Sequence, residues 1–228
     1  MRTSVKITLL CCFFATITSV NAQYYYPYSD RDHKGVIVGV RGGLVVSGKH
    51  GGNSSTTKTG FDIGLTLDFR LADKLYLLTG LDYTVKGGKT KDGNEWEMSD
   101  ENGKYRGSMN ENPAYLQLPF RLGYKFPIVE DFYIMPYAGP YIAYGLGGKT
   151  KYTYRYIDTD KVAYDKRPTF DGNVNRFDYG VGFGVSTEYK QFVLGFEYDL
   201  GLQRFAKKEA GYSDDKNKNF AVTLGYKF

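Results

Sequence analysis

Eight segments of this 228-residue chain alternate apolar residues with polar or small ones at a period of two. The pattern is plainest in Phe61-Asp62-Ile63-Gly64-Leu65-Thr66-Leu67-Asp68-Phe69-Arg70-Leu71, whose odd positions are all apolar. Successive side chains of an extended strand point to opposite sides, so each segment offers one face to hydrocarbon and the other to a polar interior. The segments are 36–46, 61–71, 75–86, 115–126, 134–146, 177–189, 192–202 and 220–228. With 24% of the chain charged, chance would leave about a dozen charges on their more apolar alternate positions, and none of those positions is Asp, Glu, Lys or Arg. Arg or Lys on such a face costs roughly 2–4 kcal/mol at a bilayer midplane, which is reason enough for the absence. A soluble β-sandwich also buries one face per strand, but its strands are shorter and its connections do not alternate in length.

Here they do alternate. Short joins at 72–74, 127–131 and 190–191 are interleaved with long connections near 47–60, 87–114, 147–176 and 203–219, rich in Gly, Lys, Asp, Asn and Tyr. The predicted fold class is all-β, an eight-stranded antiparallel up-and-down transmembrane β-barrel over residues 36–228. Bacterial outer membrane barrels keep short turns in the periplasm and long loops outside, so both termini are expected to be periplasmic.

The N-terminus agrees with that address. Arg2 and Lys6 precede the apolar run Ile7 to Val20, and Val20-Asn21-Ala22 supplies the small residues of a cleavage site. Residues 1–22 read as a secretory signal peptide and 23–35 as a periplasmic N-terminal tail. The run is too short to cross a bilayer, and no later stretch reaches 18 apolar residues, which excludes a helical membrane protein. Cys11 and Cys12 both lie in the signal, so no disulfide or thiol chemistry is expected in the mature chain. Losing Arg2 and Lys6 lowers the formal net charge from +5 to +3, which argues against a nucleic-acid partner.

The inward positions carry Arg41, Asp62, Asp68, Arg70, Asp82, Lys86, Arg121, Lys125, Asp178, Glu188, Glu197, Asp199 and Lys227. Eight strands enclose a space only just filled by side chains, so these charges are expected to pair across the interior as a lumenal network that plugs it. Arg41, Arg70, Arg121 and Lys125 should each find a carboxylate among the seven acids. Gly180, Gly182 and Gly184 relieve crowding within one strand; as a nucleotide loop Gly180-Val181-Gly182-Phe183-Gly184 fails, because no helix follows it. The outward aromatics Phe61, Tyr83, Tyr124, Phe126, Phe177, Tyr189, Phe192, Tyr198 and Tyr226 suit the two headgroup interfaces. Tyr226 and terminal Phe228 resemble the insertion signal read by the bacterial barrel-assembly machinery, an expected partner during insertion.

Several phrases carry a family resemblance: Arg41-Gly42-Gly43-Leu44-Val45-Val46-Ser47, Tyr115-Leu116-Gln117-Leu118-Pro119-Phe120, Tyr137-Ala138-Gly139-Pro140-Tyr141 and Phe177-Asp178-Tyr179-Gly180. In this order and spacing the chain resembles the PorT-like outer membrane β-barrel family of the Bacteroidetes over roughly 36–228. The resemblance implies a small outer membrane barrel and no catalytic motif; a role as an accessory to protein secretion attaches to PorT itself and to only some of the family.

Function is therefore sought in the loops. Lys149, Lys151, Tyr152, Tyr154, Arg155 and Tyr156 lie in a stretch that continues the fifth strand, with the tyrosines on one side and bases on the other. Such a ribbon offers backbone for strand addition by a protein partner, or bases for lipopolysaccharide phosphates. Outer membrane lipids and lipopolysaccharide are the expected surroundings. No catalytic, cofactor-binding or metal residues are assigned: His33 and His50 lie far apart, and His50, although near Ser47, Ser54 and Ser55, has no fixed acid to orient it. The expected protein is a structural or surface-loop binding barrel without enzyme activity. A narrow transport channel, a secretion accessory and, on His50, a lipid-modifying acyltransferase are the alternatives.

Overall fold

A computed structural model describes residues 35–51, 55–90, 92–93, 95–101, 103–159, 161–207 and 215–228. The signal peptide, the tail up to residue 34, His33 and Ser54 lie outside the described residues. Among the described residues thirteen strands are formed: β1 (Val36–His50), β2 (Ser55–Thr56), β3 (Lys58–Arg70), β4 (Leu75–Val85), β5 (Lys89–Thr90), β6 (Trp96–Asp100), β7 (Gly103–Tyr124), β8 (Phe126–Val129), β9 (Phe132–Tyr156), β10 (Val162–Pro168), β11 (Phe177–Tyr189), β12 (Phe192–Arg204) and β13 (Lys216–Lys227).

Eight of them close a ring in which every neighbour is antiparallel: β1, β3, β4, β7, β9, β11, β12 and β13, with β13 returning to β1 from Gly39↔Lys227 to His50↔Lys216. The result is an all-β barrel whose sheet has no free edge in its wall. The register keeps the alternation of the sequence in phase around the ring. Leu224 on the outside is 69% exposed and Leu44 63%, whereas Glu188 inside is fully buried. Aromatics mark two levels of the outer surface. Phe61 packs on Tyr83 and Phe177 on Tyr179 toward the long loops; Tyr124 packs on Phe126 and Tyr226 on both Phe192 and Phe228 toward the short turns.

The long connections are more ordered than the sequence pattern indicates. The expected strand 115–126 begins at Gly103, and the expected strand 134–146 runs on to Tyr156; the two pair from Tyr105↔Tyr156 down to Gly123↔Tyr137. β6 adds to β7 and β10 to β9, so a four-stranded ribbon stands at the long-loop end. Its backbone pairing needs no apolar face, which is why hydrophobic alternation did not announce it. Both edges of β9 above the barrel are thus already taken, by β7 and β10. The expected open strand for a partner at 149–156 is corrected accordingly.

Candidate functional site: the charged lumen and the ribbon above it

Inward positions stack in tiers along the barrel axis. Nearest the short turns, Lys125 Nζ lies 2.9 Å from Glu188 Oε2, and Lys227 Nζ lies 2.6 Å from Asp68 Oδ2 while also pairing with Glu188. The ring of Tyr133 underlies the Lys125 ammonium at 4.2 Å. Glu188 therefore serves two ammonium groups at once. A cavity of about 80 Å³, room for only a few waters, lies above this tier beside Thr66, Asp68, Ser186, Thr223 and Lys227.

The middle tier is the densest. Arg41 makes a two-point bond to Asp82, with Nη2 at 2.7 Å and Nε at 3.0 Å, and reaches Glu197 Oε2 at 3.1 Å and Asp62 at 3.5 Å. Arg121 grips both oxygens of Glu197 and donates to Asp199 Oδ1 at 2.8 Å. Gln117 donates to the other Asp199 oxygen at 2.9 Å and accepts from Lys86 Nζ at 2.5 Å. Planar guanidinium forks suit this work because each can serve two carboxylates without being deprotonated. Gly182 leaves the space: a Cβ there would collide with Asp199 Oδ1 and stand 2.9 Å from Arg121 Nη2. Gly182→Ala should displace this cluster and lower stability by about 1–3 kcal/mol, read as a lower denaturant midpoint for the folded barrel.

In the upper tier Lys86, one residue past β4, lies 3.7 Å from Asp178 and over the rings of Tyr141 and Tyr115. Asn217 donates to Asp178 at 3.0 Å. Phe170 closes the barrel above, edge-on to Tyr115 at 5.7 Å and seated where a side chain at Gly145 would clash. Beside it Lys49 pairs with Glu111 and covers the Phe205 ring at 3.8 Å.

Twelve of the thirteen expected lumenal charges are thus brought together. The thirteenth, Arg70, ends β3 at the short-turn end on the same parity as Asp62 and Asp68, and bonds Asp73 three residues on, at 3.0 Å. Its side chain is only 18% exposed, and Asp73 is an exposed acid of the adjoining turn. Lys49 and Glu111 were missed because both fell in connections read as loops. The signal was nevertheless there, since Lys49 continues the odd inward positions Arg41, Val45 and Ser47, and Glu111 those of Tyr115, Gln117 and Arg121.

His50 is the last residue of β1, not part of a loop, and its Nε2 lies 3.0 Å from the Gly201 carbonyl. Ser47 is buried and accepts the Gly87 N–H at 2.7 Å. The histidine and this serine are therefore each committed to backbone. Among the described residues no three His, Cys, Asp or Glu side chains converge as metal ligands.

A bulge decides which way the ribbon faces. Tyr115 pairs with Gly145 but Ala114 pairs with Gly147, so Leu146 is the extra residue on β9 and the inward parity changes there from odd to even. Below it Tyr141 and Ala143 point in; above it Thr150, opposite Glu111, is buried. Tyr152, Tyr154 and Tyr156 follow Thr150 on the lumenal side, where Tyr105 meets Tyr154 edge-on at 5.4 Å and the Tyr156 hydroxyl donates to Asp100 at 2.8 Å. Lys149, Lys151 and Arg155 are consequently on the outer side.

A closed antiparallel barrel with an apolar exterior, two aromatic levels and a charged interior is the arrangement of a bacterial outer membrane protein. The sequence profile of the outer membrane protein beta-barrel domain matches residues 21–207, and the chain belongs to that family. Similar solved structures include the attachment invasion locus protein Ail of Yersinia pestis (12% identity, 84% of this chain and 98% of that one, TM-score 0.38). Neisserial surface protein A is 14% identical over 85% of this chain and 99% of its own, with a TM-score of 0.38. OprG from Pseudomonas aeruginosa is 14% identical over 86% and 97%, also with a TM-score of 0.38. No curated protein matches the chain.

Proposed function

We propose that this protein is an eight-stranded up-and-down transmembrane barrel whose lumen is closed to solutes and which works through the surface it displays outside the cell. In this reading the short turns and both ends of the chain are periplasmic, and Tyr226 and Phe228 are read by the assembly machinery during insertion. The observation that carries it is the filling of the interior at successive levels, interrupted by one small cavity, from Lys125–Glu188 through Arg41, Arg121 and Glu197 to the Phe170 roof. Ions cannot pass without breaking buried pairs, each of which costs several kcal/mol to separate. In this reading the described residues form no open transport path, and His50 and Ser47 are each held by backbone groups instead of by one another. Its resemblance to PorT-like barrels supports placement among small barrels of that type, with a secretion-accessory role as one use of the displayed ribbon.

Planar-bilayer recording tests this directly. The purified barrel should show no steady conductance, while its insertion is verified by protease protection; long-lived, ion-selective openings would replace the closed-barrel reading with the channel.

A further inference from the structure

The outer side of the ribbon carries charges that antiparallel pairing should disfavour. Lys151 lies directly opposite Lys166, and Arg155 directly opposite Arg106, on the same face as Lys149. Like charges in directly opposed positions destabilise a sheet unless something neutralises them. Glu97 answers one of them, 2.8 Å from Arg106, and it is the one acid among the outward residues of β6, β7, β9 and β10. The lysine pair has no such answer on that face; Lys151 lies over the Tyr164 ring at 4.1 Å, which is a soft, uncharged contact.

The place of these bases is as informative as their number. On β7 the outer face runs without interruption from Tyr124, Leu122 and Phe120 up through Asn112 to Arg106. On β9 the outward Ile142, Tyr144 and Leu146, all about half exposed, are followed directly by Lys149 and Lys151 once the bulge has reversed the parity. The bases thus begin where the apolar band ends and continue upward for about 20 Å of strand. Without the bulge at Leu146 the tyrosines would point outward and the bases inward.

We infer that this face, Lys149, Lys151 and Lys166 at its base and Arg155 and Arg106 above, docks the phosphorylated sugar headgroup of lipopolysaccharide in the surrounding outer leaflet. The inference rests on the transmembrane reading above. Phosphate oxygens would supply the missing counter-charge through charge-assisted bonds, with the acyl chains lying against the apolar band directly beneath. A soluble acidic protein would use the charges but would have no reason to require that continuity.

The test is lipid retention by the full-length barrel from phosphatidylcholine vesicles doped with diphosphorylated lipid A or with its dephosphorylated form, counted by mass spectrometry after affinity purification. The wild type should enrich the diphosphorylated lipid at least about tenfold over the dephosphorylated one. Lys149→Gln/Lys151→Gln/Lys166→Gln should lose most of that enrichment, and the triple replacement by Arg should keep it. Inorganic phosphate in the buffer should not compete, because a membrane-held headgroup and not free phosphate is the ligand; competition would overturn the lipid assignment. Equal enrichment by the Gln variant, or no preference for phosphate, would overturn the inference. Heat-modifiable gel mobility in undoped vesicles reports separately on barrel formation, so that loss of insertion there would condemn the transmembrane reading itself.

Discussion

Arg121→Met should be among the most damaging single substitutions in the barrel, with a loss of about 3–5 kcal/mol in folding stability measured by denaturant titration in detergent micelles or phospholipid vesicles. It removes the fork that holds Glu197 and Asp199 and leaves two buried carboxylates short of their donor. Changing Glu197 to Leu in the same chain should recover part of the loss, but not all of it. Glu197 also receives Arg41, and Asp199 would retain only Gln117 among the Arg121-side donors named above. A double-mutant cycle on Arg121 and Glu197 should therefore give a coupling of about 0.5–3 kcal/mol. Strict additivity would mean that these groups are hydrated independently, as in an open pore, and would remove the closed lumen from the argument.

Adjacent residues in one strand should answer very differently to the same substitution. Leu65 shares its parity on β3 with the exposed Phe61 and Ile63, whereas Thr66 shares that of the buried Asp62 and Asp68. Leu65→Arg should cost roughly 2–4 kcal/mol in a lipid bilayer if the residue sits near the midplane, because a guanidinium meets hydrocarbon there. Thr66→Arg also crowds its neighbours, but its charge enters a space already lined with carboxylates. The comparison is best made in bilayers and again in denaturing micelles. A Leu65 penalty that failed to exceed that at Thr66 in bilayers would refute the assignment of the two faces.

How much of this was legible beforehand can be argued residue by residue. Arg41, Arg121, Glu197 and Asp199 could be placed inside from parity alone, because an apolar outer face leaves the alternate positions nowhere else to go. Which acid each base would meet was not legible. Arg41 and Asp82 are 41 residues apart and Arg121 and Glu197 are 76 apart, and such partners are chosen by strand register and by the height of each side chain along the axis. Arg70 makes the same point: parity put it on the inward face, but its bond to Asp73 of the adjoining turn follows from its position at the end of β3. Lys49 and Glu111 show the converse, since polar strand extensions above the barrel lack the hydrophobic alternation by which strands are recognised.

The sequence by itself determined the wall. Eight charge-free alternating faces, separated by joins of alternating length, specify an antiparallel barrel and its two surfaces, because the period of two is local and the cost of a charge in hydrocarbon is high. Only the tertiary structure decided the rest: the closure of β13 on β1, the sharing of Glu188 and Glu197 between two cations each, the Phe170 roof, and the extra residue at Leu146. That single bulge reverses every side chain above it, turning tyrosines toward the lumen side and lysines toward the membrane side. A register shift of one residue leaves composition and periodicity almost unchanged, yet in a sheet it exchanges the two faces completely.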